Sequence, residues 1–102
     1  MTKHESPPGG RPYGREFVEE VGPNFARHLR TRRVAMGMSQ QHVVLFLEVE
    51  HGIVWHQTVV AKIEAGQRQV KLTEAYALAD VLGLPLEQLI RGDVAYSRRQ
   101  GD

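Results

Sequence analysis

The chain is 102 residues long, 41% apolar and 25% charged, with a net charge of +1 and no cysteine. That length holds one small domain with a single core and leaves no room for a large catalytic domain with a cofactor cleft. The missing cysteines exclude disulfides, thiolate catalysis and any sulfur-ligated zinc site, so the fold depends on packed helices or on oligomerisation. A cysteine-free chain suits a reducing cytoplasm, and a cytoplasmic location is the expectation.

No run approaches the roughly 18 consecutive apolar residues of a membrane span. The opening MTKHESPPGGRPYGR has no apolar core behind its charges, so neither a secretory signal nor a membrane partner is expected. Pro7, Pro8, Gly9, Gly10, Pro12 and Gly14 crowd this stretch, which buries too little apolar surface to offset its ordering entropy. Residues 1–20 are therefore expected to form a flexible arm, 21–92 the folded domain and 93–102 a polar tail. Glu16–Val21 has the makings of a helical turn that Gly22-Pro23 should interrupt.

Five helices are predicted from here. The first spans about 24–36, with Asn24 as N-cap, Phe25 and Leu29 on one face and Gly37 at its end. The second begins behind Ser39 as N-cap. The third covers about 57–65 and stops at Gly66. The fourth runs about 72–82, with Leu72, Ala75, Ala79 and Leu82 as its apolar face, Thr73 as a candidate cap and Gly83 at its end. The fifth is a short turn from Pro85 to Ile90, with Leu86, Leu89 and Ile90 turned inward.

Residues 43–60, VVLFLEVEHGIVWHQTVV, complicate this picture. Their β-branched and aromatic side chains favour two strands around a turn at His51-Gly52. A lone hairpin is only marginally stable, however, and Ser39 on one side and Lys62–Gly66 on the other bracket a helix–loop–helix. Helices are the expectation and the hairpin the alternative.

Charge is unevenly spread. Residues 1–40 hold seven Lys/Arg and four Asp/Glu, whereas 41–102 hold six and eight. Asn24–Gln40 contains Arg27, Arg30, Arg32 and Arg33 and no acid, which reads either as a phosphate footprint or as a solvated helix face.

A helix enters the DNA major groove only when a second helix braces it on the duplex. The bracing helix needs a polar N-terminus whose free N–H groups meet phosphate, and Ser39-Gln40 supplies one. The groove helix needs short polar readers at its start. His56, Gln57 and Thr58 fit, since a Gln amide matches the N6/N7 edge of adenine bidentately. Lys62 lies about a turn further on. Arg68 and Gln69, in the loop behind Gly66, offer a cation and backbone N–H groups to the sugar-phosphate strand.

Three segments taken together, GMSQQHVV (Gly37–Val44), QTVVAKIEAGQRQV (Gln57–Val70) and LTEAYALADVLGLPLEQLI (Leu72–Ile90), resemble the phage-repressor and Cro-like helix-turn-helix family. The likeness covers about residues 24–91. It implies an all-α, compact five-helix lambda-repressor-like domain and a sequence-specific double-stranded-DNA-binding transcriptional repressor, acting as a homodimer without cofactor or enzymatic activity. By this resemblance Gln40 is the phosphate-contacting and bracing glutamine, Gln57 the first base-reading position, and Thr58 and Lys62 further groove-facing positions. Arg33 and Glu64 align with an internal ion pair between the first and third helices.

The chain departs from the family pattern in two places. Eighteen residues separate Val44 from Ile63 where the family has about 12, which implies a turn expanded by roughly six residues around Glu48–Val54. Val44 replaces a usual alanine, and Leu45 and Phe46 are apolar where the family is polar. With Val49 they suggest a protein contact, and the second functional reading follows from them: an interaction module of the same fold, such as an antitoxin or phage accessory protein, without operator binding of its own. His51 and His56 stand five apart with no third ligand evident, so no metal site is expected.

Overall fold

The computed structural model describes residues 15–92. They form α1 (Arg15–Ala35), α2 (Gln40–His51), α3 (Gln57–Glu64), α4 (Leu72–Val81) and α5 (Leu86–Arg91), with no strand among the described residues. The fold is the all-helical one expected.

The core is built from one apolar stripe per helix. Leu29 of α1, Val43 and Leu47 of α2, Val60 and Ile63 of α3, Leu78 of α4, Leu82 just behind it and Leu89 of α5 are fully buried. Their spacings of three and four place each pair on one helical face. Phe25, Ala77, Ala79 and Leu84 complete the cluster. Helix α1 packs on α3 and α5, α2 on α3 and α4, and α4 on α5. The buried face of α4 differs slightly from expectation. Leu72 stays largely exposed at the helix start, and Leu78 takes its place in the core.

Three boundaries depart from the sequence reading. Helix α1 starts at Arg15 and runs through Gly22-Pro23, where an interruption was expected. Proline keeps a helical φ and removes only one donor, and the Glu19 carbonyl that loses this partner belongs to an exposed residue that water reaches. Asn24 is therefore inside the helix rather than its cap, and its side-chain oxygen accepts from Arg27 one turn on. Helix α4 is capped by the Glu74 carboxylate, which accepts from the Lys71 N–H at 3.0 Å, not by Thr73.

The third departure concerns the expanded turn. Residues 43–51 are helical, so the hairpin alternative does not form. Most of the extra length extends α2 to His51, and only 52–56 form the loop. Gly52 closes the helix at φ 69°, its N–H donating to the Glu48 carbonyl at 3.0 Å while Ile53 N–H reaches Leu47 O at 3.2 Å. This left-handed cap needs glycine, so His51-Gly52 is a helix terminus and not a hairpin turn.

Candidate nucleic-acid interface

The start of α2 is fixed by a reciprocal cap. Ser39 Oγ accepts from the His42 N–H at 3.0 Å, and His42 Nδ1 accepts from the Ser39 N–H at 3.0 Å. Histidine here fills the position usually held by Glu or Gln. The first N–H groups of α2, those of Gln40 and Gln41, have no partner within the helical ladder.

A chain of side-chain hydrogen bonds then ties three helices together. Arg33 of α1 donates through Nε and Nη2 to Glu64 Oε2 and Oε1 at 2.7 and 3.0 Å, and through Nη1 to the Met38 carbonyl at 2.8 Å. Glu64, at the end of α3, leaves only 3% of its side chain exposed, against 12% for Arg33. The hydrogen bonds to Glu64 hold the Arg33 pKa above its ordinary value, against the opposing effect of burial. Glu64 Oε1 also accepts from Gln40 Nε2 at 3.0 Å, and Gln40 Oε1 accepts from Gln57 Nε2 at 2.8 Å.

The direction of this chain is chemically determined. An ionised carboxylate only accepts, so Gln40 must turn its NH2 toward Glu64 and its carbonyl toward Gln57. Gln57 must then donate, which leaves it one N–H and its carbonyl oxygen for another partner. The Gln40–Gln57 link escaped the sequence reading, because two residues 17 apart carry no shared local pattern.

The remaining candidates fall on or beside the free face of α3. His56 is the N-cap, its Nδ1 accepting from the Thr58 N–H at 3.2 Å and lying 3.1 Å from Thr58 Oγ1. Thr58 and Lys62 are exposed and four residues apart, so they share one face. Lys62 makes no ion pair with a described residue. Val60 and Ile63 occupy the opposite, buried side.

Arg68 is more constrained than a loop cation. Its guanidinium lies 5.0 Å from the centroid of the Trp55 ring, and Nη1 is 3.5 Å from both Glu74 Oε1 and the Gln69 carbonyl. Trp55 is half-buried at the core margin, where it serves as a platform for this cation. Gln69 is exposed. The arginine stripe of α1 does not survive as one surface. Arg33 is spent on Glu64, and Arg32 Nε donates to the Leu82 carbonyl at 2.9 Å, its pKa lowered by burial. Only Arg27 and Arg30 are exposed.

The surface assembled here is a polar helix start, an exposed polar helix face and a partly paired cation beside it. No described helix is long and apolar enough to cross a membrane. No curated protein and no solved structure matches the chain. A family model does: the one described as helix-turn-helix matches residues 29–89, which takes in Arg33, the capped start of α2, the Gln40–Gln57 link and the core as far as Leu89. The chain thus belongs to the phage-repressor/Cro-like helix-turn-helix family, a family of DNA-binding transcription regulators that are typically non-enzymatic.

Proposed function

We propose that this protein is a sequence-specific double-stranded-DNA-binding transcriptional repressor of the cytoplasm, acting as a homodimer and reading the major groove with α3. The observation that carries the reading is the Arg33–Glu64–Gln40–Gln57 chain. It holds the Gln57 amide still while leaving it one donor and one acceptor, the pair that the N6/N7 edge of adenine requires. Preorganisation of this kind spares the ordering cost that a free side chain bears on binding.

In this reading Gln40 and the first N–H groups of α2 meet phosphate, and Gln57 reads a base. Thr58 and Lys62 follow along the groove, and His56 presents its Nε2 edge beside them. Arg68 and Gln69 hold the sugar-phosphate strand behind. The binding unit is residues 21–92; of the expected arm, 15–20 belong to α1, while 1–14 and the expected tail 93–102 lie outside the described residues. One such domain covers half an operator, and a second copy one helical turn away, about 34 Å, supplies the other half.

Selection of bound sequences from random duplex DNA, at low and high salt, tests the proposal. A palindrome with half-sites about one turn apart is expected, with Arg68→Ala flattening the log-affinity against log-salt slope by about one unit. Binding without any enriched sequence would overturn it. The exposed Leu45, Phe46 and Val49 on α2 favour a second reading, an interaction module without an operator. That reading gains if the same chain shows no DNA affinity above the nonspecific level.

A further inference from the structure

We infer, resting on the proposed DNA binding, that Trp55 and Glu74 set the grip of Arg68 on the DNA backbone: Trp55 positions the guanidinium, and Glu74 is an internal rival that gives way to a phosphate group. Trp55 lies in the loop 52–56 that leads into α3, and Arg68 in the segment that follows α3. The guanidinium stands 5.0 Å from the centroid of the indole, so the two segments flanking α3 meet in one contact. The face of an indole attracts the cation without occupying any of its N–H groups.

The polar contacts of Arg68 are loose. Only Nη1 is engaged, and it stands 3.5 Å from both Glu74 Oε1 and the Gln69 carbonyl, at the outer limit of a hydrogen bond. Nε and Nη2 donate to no described residue, and 34% of the side chain is exposed. Arg33 provides the contrast. It donates to Glu64 through two nitrogens at 2.7 and 3.0 Å and is 12% exposed. One arginine is committed to its carboxylate, and the other only rests against it.

Glu74 can release the cation because its charge has other support. Its Oε1 accepts from the Lys71 N–H at 3.0 Å, and it stands in the first turn of α4, where the helix dipole favours an anion. A DNA phosphate offers Arg68 an anionic partner in a bidentate geometry that the single long contact to Glu74 lacks. On docking, Arg68 keeps the face of Trp55 and turns its free N–H groups to phosphate, while Glu74 keeps the cap of α4. In the free protein the same carboxylate opposes that step.

Anisotropy of a labelled mixed-sequence duplex at low salt tests this, because a phosphate contact acts on all sequences alike. Glu74→Gln keeps an acceptor for the Lys71 N–H and should bind about threefold more tightly than the wild type, with the gain shrinking at high salt. Trp55→Leu should bind about fivefold more weakly, and Trp55→Tyr, which restores an aromatic face, no more than about twofold more weakly. In an Arg68→Ala background neither Glu74→Gln nor Trp55→Leu should change binding further, an exemption that a general loss of packing would not grant. Circular dichroism checks that each variant is folded; should Trp55→Leu fail to fold, Glu74→Gln with and without Arg68→Ala decides. A wild-type chain that binds no duplex overturns the proposed function and this inference with it. Where the wild type binds, the inference alone falls if Glu74→Gln binds no better, if Trp55→Leu binds as well as the wild type, or if either effect persists without Arg68.

Discussion

Helix α2 has two ends of opposite character. At its start, Ser39 and His42 satisfy each other's backbone groups, and Gln40 is locked between Glu64 and Gln57. From its middle to its far end, Leu45 and Val49 face solvent at 53% and 72% exposure, and Glu50 sits against the negative pole of the helix. The first end is closed upon itself and presents a fixed geometry. The second has surplus apolar surface and surplus negative charge. One twelve-residue helix therefore separates two tasks. Positional rigidity lies where α3 begins, and capacity for further contacts lies a few turns away, so a partner at one end need not disturb the register at the other.

The contrast breaks most visibly at Glu64. Removing one partner of a buried pair strands the other charge, at a cost of about 3–5 kcal/mol. Glu64→Gln and Arg33→Met should each lose about this much in urea melts, and the double variant less than the sum. Losses under about 0.5 kcal/mol would mean that the network decorates the surface instead of joining the helices. The next effect is on recognition. Gln57→Ala should cost about 1–3 kcal/mol of binding at one base pair per half-site, measured against a panel of single-base variants. An even loss across the panel would move base reading to Thr58 or Lys62.

Smaller changes sharpen the picture. Ser39→Ala removes the cap and should lower stability by about 1 kcal/mol in thermal melts, with an unchanged preference at the base that Gln57 reads. At the other end, Leu45→Ser combined with Val49→Ser should move stability by no more than about 0.5 kcal/mol, because both side chains are exposed. The same variant should weaken self-association in sedimentation. Unaltered association would place the subunit contact elsewhere, with α5 as the next candidate.

Much of the fold was legible because single residues carried local signals. Ser39 announced the start of α2, Gly66 the end of α3, and the spacing of Phe25 and Leu29 the buried face of α1. Local preference misled at 43–60. There Val43, Leu47 and Val60 occupy the core of a helical pair, and tertiary packing overrides their β-propensity. The extra six residues were visible, but whether they lengthened a helix or a loop depended on Gly52, whose left-handed cap also fits a turn. In the candidate site, residue types and spacing pointed to Gln57 and Lys62. The hydrogen bonds among Gln40, Gln57 and Glu64, the seat of Arg68 on Trp55 and the approach of Asp80 to His51 all join residues from separate segments. Such contacts have no periodicity to betray them.

Pro23 divides α1 in a way that its continuous outline conceals. On one side Val18 is 64% exposed and Glu19 and Glu20 lie in solvent, while on the other Phe25, Ala26 and Leu29 are buried. With the bond to the Glu19 carbonyl missing and Val18, Glu19 and Glu20 exposed, the turns before Pro23 draw little stability from the core. The cooperative unit that melts with the core is expected to begin just after Pro23, with the turns before it opening locally. Amide hydrogens of residues 18–22 should exchange with deuterium nearly as fast as in a free peptide, while those of 29–35 wait for global unfolding.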